Sequence, residues 1–176
     1  GGNPTVGSTM VLTSLGTWSG TPTTPGSINY GRQWLRNGSP IPGATGSSYV
    51  LGAADLGKRI SDRVTASLPS WIPDTADSAQ TALIGKGTLA TSGTPVIKGK
   101  LRVGKRLTAV PPTCRPTSTV HYQWLRNGKV IANATKVKYK LKRADKGKRI
   151  SVRVTFTHTA YNDKVVTIKR AGKVMA

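Results

Sequence analysis

Acid–base chemistry would have to come from a small set of side chains in this chain of 176 residues. It has six acidic residues, all of them aspartates, and two histidines, His121 and His158. Catalysis by paired carboxylates needs two such groups around one substrate bond. Asp55 and Asp145 lie at the same place in two copies of one repeat, and equivalent copies would rarely each hold half of an active site. We therefore predict no enzymatic activity and interpret each aspartate as a loop cap that accepts backbone N–H groups.

Patterns for metals and cofactors are missing from the sequence as well. The single cysteine, Cys114, excludes an internal disulfide framework and a cysteine-built metal centre. No phosphate-binding glycine loop, nucleophile elbow or His/Asp cluster with ligand spacing occurs. No apolar run reaches the length of a transmembrane helix. The sequence thus predicts no cofactor, no metal and no transmembrane segment.

Positive charge is the chemistry in which the chain is rich. Lys and Arg number 27 against 6 acidic residues, a net charge of +21. Residues 1–86 hold 6 basic and 4 acidic residues, whereas residues 87–176 hold 21 basic and 2 acidic ones. Such a surface predicts a polyanionic partner: a cell-wall polymer such as teichoic acid, an acidic polysaccharide, an anionic membrane surface or a nucleic acid. Alternatively, the lysines only keep an exposed strand from pairing with other chains.

A row of lysines indicates where the polyanion would bind. Lys138, Lys140 and Lys142 alternate with apolar residues, and residues i and i+2 of a strand share one face about 7 Å apart. Nucleic acid is the less favoured partner, because the one aromatic residue in this row, Tyr139, points inward and cannot stack on bases. The candidate polyanion-binding residues are Lys136, Lys138, Lys140, Lys142, Arg143 and Lys146.

Aromatic residues provide an alternative, a carbohydrate-binding module. Trp18, Trp71 and Tyr161 are candidates for stacking on sugar rings. Because Trp71 and Tyr161 are 90 residues apart, in equivalent places, they could instead cover one end of the scaffold. Trp34 and Trp124 alternate with polar neighbours in strand-like runs, and we assign both to the core.

An internal repeat organises all of these residues. Residues 33–65 and 123–155 align without a gap at an offset of 90, with 21 identities in 33 positions. The period suits a small domain, so we predict two domains, 1–86 and 87–176. In each copy an Asn-Gly pair (Asn37-Gly38, Asn127-Gly128) separates apolar runs of period two, which predicts hairpins of half-buried strands. The expected fold is all-β, with two tandem antiparallel sandwiches.

The repeat resembles the bacterial immunoglobulin-like repeats of secreted and cell-surface proteins of actinobacteria. The resemblance rests on Gln-Trp-Leu-Arg-Asn-Gly from Gln33 and Gln123, and on Ala-Asp-x-Gly-Lys-Arg-Ile-Ser from Ala54 and Ala144. It implies immunoglobulin-like β-sandwiches that serve as spacer, adhesive or accessory modules, secreted or at the cell surface, with a neighbouring domain as a possible partner. It transfers no catalytic residues. The segment 93–99 has no counterpart before Gly1, so we expect the first domain to lack its initial edge strand.

One difference between the copies predicts an ion pair. Arg32 and Asp62 stand where the second copy has Tyr122 and Val152. A register that pairs Trp34 with Ile60 would also place Arg32 opposite Asp62, because antiparallel partners have a constant index sum. We therefore expect a partly buried Arg32–Asp62 pair in place of an apolar contact. The alternative is a polar binding cleft at that end of the sandwich.

Overall fold

The computed structural model describes residues 4–16, 18, 28–69 and 72–176. The chain divides into two compact units, unit 1 (Gly1–Gly87) and unit 2 (Thr88–Ala176). Within the described ranges, no helix is long and apolar enough to cross a membrane. The two units are described separately below.

Unit 1 contains two antiparallel sheets. Its strands are β1 (Thr9–Val11), β2 (Asn29–Arg36), β3 (Ser39–Pro40), β4 (Ser48–Val50), β5 (Ile60–Ser67) and β6 (Asp74–Asp77), with a 3₁₀ turn at Ala53–Asp55. One sheet has the order β3-β2-β5-β6, and the other pairs β1 with β4. Trp34 of β2 is buried and stacks on Tyr49 of β4 at 5.8 Å between ring centroids, which packs one sheet against the other.

Unit 2 repeats this arrangement with more strands. After β7 (Gly87–Thr88), which spans the boundary, come β8 (Ala90–Ser92), β9 (Val96–Lys98), β10 (Arg106–Val110), β11 (Thr113–Arg115), β12 (Thr119–Arg126), β13 (Lys129–Val130), β14 (Lys138–Lys140), a 3₁₀ turn at Arg143–Asp145, β15 (Ile150–Thr157), β16 (Tyr161–Asn162) and β17 (Lys164–Lys169). A four-stranded sheet, β13-β12-β15-β17, faces a three-stranded sheet, β14-β10-β9. The short strands β8 and β11 pair separately.

The core of unit 2 lies between these two sheets. Alternate residues of both sheets contribute to it, as the period of two requires. Trp124 is fully buried and stacks on Tyr139 of the opposite sheet at 5.6 Å between ring centroids. The largest other fully buried side chains of unit 2 are Leu89, Leu107, Leu141, Ile150, Val152, Val154 and Phe156. Two facing antiparallel sheets with this strand order form an immunoglobulin-like β-sandwich, so the predicted fold class is confirmed.

The Asn-Gly hairpins also set the register of the central strands. Asn37 and Gly38 both have positive φ, 48° and 82°, the backbone that a two-residue hairpin turn needs. The Asn37 N–H donates to the Arg59 carbonyl at 2.8 Å, and its side-chain oxygen accepts the Arg59 N–H at 2.9 Å. Asn127 makes the same two contacts with Arg149, both at 2.8 Å. This clamp holds β2 against β5, and β12 against β15.

The register that the sequence predicts for β2 and β5 is wrong by one pair, because the clamp fixes a different one. Because Asn37 faces Arg59, Trp34 lies opposite Asp62 and Arg32 lies opposite Val64. Arg32 and Asp62 are therefore diagonal neighbours, and the ion pair does not form. Asp62 is 1% exposed, and neither of its carboxylate oxygens accepts a hydrogen bond from the described residues. In unit 2 the corresponding partners are Trp124 with Val152 and Tyr122 with Val154, not Tyr122 with Val152.

Replacing these two polar residues by those of unit 2, Arg32→Tyr with Asp62→Val, should stabilise the chain. We expect the free energy of unfolding at pH 7 to rise by about 1–4 kcal/mol, because a poorly compensated buried charge is replaced by apolar contacts. Burial raises the pKa of Asp62 and the Arg32 charge lowers it only in part. Its ionised form therefore opposes folding, and the gain should shrink as the pH falls through that pKa towards 3.8.

Scanning calorimetry of the full chain between pH 3 and 8 measures this difference. Arg32→Ala alone should lower stability, since it removes the positive charge that lowers the pKa of Asp62 and leaves that carboxylate buried. An unchanged melting temperature in the double variant at pH 7 would contradict the interpretation.

Candidate polyanion-binding site

A buried aspartate positions the lysine row of unit 2. Asp145 is fully buried, and its carboxylate accepts hydrogen bonds from the Arg126 Nε at 2.7 Å, the Tyr139 hydroxyl at 2.9 Å and the Lys142 N–H at 2.7 Å. Arg126 belongs to the four-stranded sheet and Tyr139 to the three-stranded sheet, so the Asp145 carboxylate connects the two sheets. With Tyr139 held inward, Lys138 and Lys140 on either side of it must point outward.

Unit 1 contains the same cluster. Asp55, also fully buried, accepts from the Arg36 Nε at 2.6 Å, the Tyr49 hydroxyl at 2.9 Å and the Gly52 N–H at 2.7 Å. Acceptance of a backbone N–H is the contact that the loop-cap interpretation predicts. The arginine and tyrosine partners were not predicted, although the identity of Arg36 with Arg126 and of Tyr49 with Tyr139 in the repeat was a usable signal.

Cations from three strands share the outer face of the three-stranded sheet. Arg106 lies directly opposite Lys140, and Thr108 lies between Lys138 on one side and Lys98 on the other. All four cations are exposed, and none of the three strands contains an acidic residue. We name this surface the basic sheet face: Lys98, Arg106, Lys138 and Lys140. Opposite residues of neighbouring strands have Cβ atoms about 4.5–5.5 Å apart, so the like charges of Arg106 and Lys140 repel each other.

The corresponding face of unit 1 is uncharged. There, Thr9 lies opposite Val50, and Val11 lies opposite Ser48. These residues occupy the places of Arg106, Lys140, Thr108 and Lys138, because Met10 faces Tyr49 as Leu107 faces Tyr139. The sandwich therefore forms without charge on this face, and the positive charge of unit 2 is not a requirement of folding.

The structure brings together only part of the predicted lysine set. Lys136, Lys138, Lys140 and Lys142 line one groove of about 280 Å³. Arg143 and Lys146 are exposed at the two ends of the neighbouring 3₁₀ turn and do not line it. Sequence reasoning missed Lys98 and Arg106, since their strands are distant in the chain and only the sheet register places them beside Lys138 and Lys140.

The aromatic candidates for sugar stacking are in less open surroundings. Trp18 is partly buried, donates its Nε1 hydrogen to the Leu15 carbonyl at 2.9 Å, and lies 6.3 Å from Tyr30 between ring centroids. Tyr161 is partly buried and packs against the core of unit 2. Its ring contacts that of His158 edge to face, with 4.9 Å between the ring centroids. Trp71 lies outside the described residues.

Groups suited to catalysis or metal binding do not cluster in the described part of the chain. No three His, Cys, Asp or Glu side chains there could hold one metal ion. His121 lies 3.3 Å from the Thr157 hydroxyl, whereas the ring of His158 accepts the Ala160 N–H at 3.3 Å. Cys114 packs partly buried against the core, with its Sγ 3.8 Å from the Ser118 hydroxyl. These groups make local structural contacts.

Comparison with known proteins adds little to this description. No protein-family model matches the chain, and the curated proteins contain no significant match. The amphioxus IgVJ-C2 molecule is 12% identical, with 99% of this chain and 99% of that chain covered and a TM-score of 0.38. The tandem Ig repeats of Dlar are 15% identical, with 82% and 81% covered and a TM-score of 0.27. The fold assignment rests on the strand order and register given above.

The buried cluster predicts alkaline sensitivity. Burial raises the pKa of Tyr139 above 10, and its hydrogen bond to Asp145 raises it further, while Arg126 lowers it in part. The stabilisation from this tyrosine is therefore full below pH 10 and lost as the pH rises through the folded-state pKa. Tyr139→Phe should cost about 1.5–3 kcal/mol at pH 7, the value of a hydrogen bond to a charged group.

Between pH 9 and 12 that variant should lose less stability than the parent chain. Urea unfolding across this pH range measures the free energy of unfolding of the Tyr139→Phe variant and of the parent chain. A variant as stable as the parent at pH 7 would show that the hydroxyl contributes nothing to the cluster.

The basic sheet face should reduce stability when salt is low. Substituting the unit 1 residues, Arg106→Thr, Lys138→Ser and Lys140→Val, removes the repulsion between neighbouring strands. We expect a higher melting temperature at about 10 mM ionic strength and a smaller difference at about 1 M, where the Debye length is only about 3 Å. Thermal unfolding at the two salt concentrations tests this, and a difference that does not depend on salt would exclude electrostatic repulsion as its cause.

Proposed function

We propose that the chain is a pair of non-catalytic immunoglobulin-like modules of a secreted or cell-surface bacterial protein. Unit 2 docks on an anionic polymer of the cell envelope through the basic sheet face, and unit 1, whose corresponding face is uncharged, acts as a spacer. The observation that carries the proposal is the contrast between the two outer faces. One scaffold carries four exposed cations on this face in unit 2, while the equivalent positions of unit 1 that are described carry none.

Physical chemistry supports a ligand over a merely soluble surface. Solubility requires scattered charges, and edge protection requires charge only on the edge strand. Here Arg106 belongs to the middle strand β10 and lies directly opposite a second cation, Lys140, on the neighbouring strand. Such an arrangement costs stability unless an anion neutralises it. A polymer with regularly spaced phosphates or carboxylates would meet cations about 5 Å apart across strands and about 7 Å apart along them.

The non-catalytic part of the proposal is supported by how the aspartates are used. Asp55 and Asp145 are fully buried, each accepts three hydrogen bonds, and each is paired with an arginine. A carboxylate in that state has no access to a substrate. The bacterial source and the envelope location rest on the resemblance of the repeat.

Binding of poly(glycerol phosphate) tests the proposal. The full chain should bind this polymer with an affinity that falls steeply as salt rises, because docking releases counterions. The variant Arg106→Thr, Lys138→Ser, Lys140→Val should lose most of the affinity, and the plot of log affinity against log salt should become flatter. Lys138→Arg with Lys140→Arg keeps the charge and should keep the binding.

Competition separates the possible partners. Single-stranded oligonucleotide should displace the polymer poorly, since no aromatic side chain lies among the cations to stack on bases. Tighter binding of oligonucleotide than of poly(glycerol phosphate) would favour a nucleic-acid partner and overturn the envelope proposal. If the three neutral substitutions left the affinity for poly(glycerol phosphate) unchanged, the basic sheet face would not be the binding site.

A further inference from the structure

A second concentration of positive charge in unit 2 lies away from the lysine row. It lines a groove of about 790 Å³ where the Asn127-Gly128 turn, residues 147–151 and residues 169–173 meet. Its cations, all exposed, are Lys148, Arg149, Lys169, Arg170 and Lys173. We name this the five-cation groove. No aspartate lines it, and none of the five takes part in an ion pair in unit 2, of which every residue is described.

Backbone hydrogen bonds hold the walls of the groove. The Asn127 clamp fixes Arg149 on one side. On the other, Gly147 N–H donates to the Val174 carbonyl at 2.8 Å and Val174 N–H donates to the Lys148 carbonyl at 3.0 Å. The Arg170 N–H donates to the Ile150 carbonyl at 3.2 Å, and its guanidinium contacts the Gly99 carbonyl at 3.4 Å. The positions from which the five side chains project are thus preorganised.

Unit 1 again provides the comparison. Lys58 and Arg59 stand 90 residues before Lys148 and Arg149, and the Lys58 carbonyl accepts the Ile84 N–H at 2.9 Å as the Lys148 carbonyl accepts the Val174 N–H. The positions 90 residues before Lys169, Arg170 and Lys173 hold Ala79, Gln80 and Leu83. Three of the five charges are therefore peculiar to unit 2, and two lie beyond the sheet, where no strand edge needs protection.

We propose that the five-cation groove binds an oligophosphate, a ligand with two or more adjacent phosphate groups. Two guanidiniums and three ammoniums provide more positive charge than one phosphate dianion needs, and guanidiniums bind phosphate oxygens in a bidentate manner. The volume suits a small ligand rather than a single ion. This site is separate from the basic sheet face, because the two share no residue.

Titration of the full chain with inorganic tripolyphosphate, followed by amide NMR, tests the proposal. We expect saturable shifts at Gly147, Arg149, Ser151 and Arg170, and much weaker binding of orthophosphate and of sulfate at equal ionic strength. The variant Lys169→Ala, Arg170→Gln, Lys173→Leu, which introduces the uncharged residues found 90 positions earlier, should weaken tripolyphosphate binding by at least about tenfold. Its amide shifts in β12 and β15 report whether it is folded.

The variant Lys169→Gln with Lys173→Gln keeps Arg170 and its contact with the Gly99 carbonyl, and it should weaken tripolyphosphate binding as well. The neutral variant of the basic sheet face should bind tripolyphosphate as the parent chain does, although it loses poly(glycerol phosphate). Shifts spread over all lysines of unit 2, or equal affinity in the variants and the parent chain, would overturn the proposal. Either result would leave the docking of the polymer on the sheet face intact.

Discussion

The carboxylate of Asp145 is the contact on which the geometry of unit 2 depends. It is fully buried and binds Arg126 of one sheet, Tyr139 of the other and the backbone of the loop that follows β14. A buried charge of this kind is tolerated only when all its partners are in place, so the two sheets and the loop must assemble together. Because Tyr139 is held inward, its two lysine neighbours point to solvent. Asp55 imposes the same arrangement on unit 1.

The two units separate the residues that fold the chain from those that interact with its surroundings. The clusters around Asp55 and Asp145, the stacked Trp–Tyr pairs and the Asn-Gly clamps are the same in both units. The outer faces and the ends of the sheets differ, and seven of the twelve differences between residues 33–65 and 123–155 place Lys or Arg in unit 2. Unit 1 is thus an internal reference for unit 2: a residue that differs outside the core can be substituted by its counterpart with the fold preserved.

Asp62 is the exception, because it places a polar group of unit 1 in the core. The equivalent position in unit 2, on β15, is occupied by Val152, which lies directly opposite Trp124. The register that brings Asp62 opposite Trp34 is imposed by Asn37, three residues after Trp34 in the chain. A sequence comparison finds the substitution of valine by aspartate. It does not find which side chain the aspartate faces, since a register shift of one pair changes every partner.

The sequence by itself determined the features that depend on near neighbours or on strict periodicity. The Asn-Gly pairs need positive φ and so define hairpins, the period of two defines half-buried strands, and the offset of 90 defines two copies. Only the tertiary structure decided which distant strands are adjacent and in what register. Arg106 and Lys98 join Lys138 and Lys140 because β10 and β9 follow β14 in one sheet, and Lys173 joins Lys148 because the N–H of the next residue, Val174, donates to the Lys148 carbonyl. Such pairings depend on how the core packs as a whole, and no local pattern encodes them.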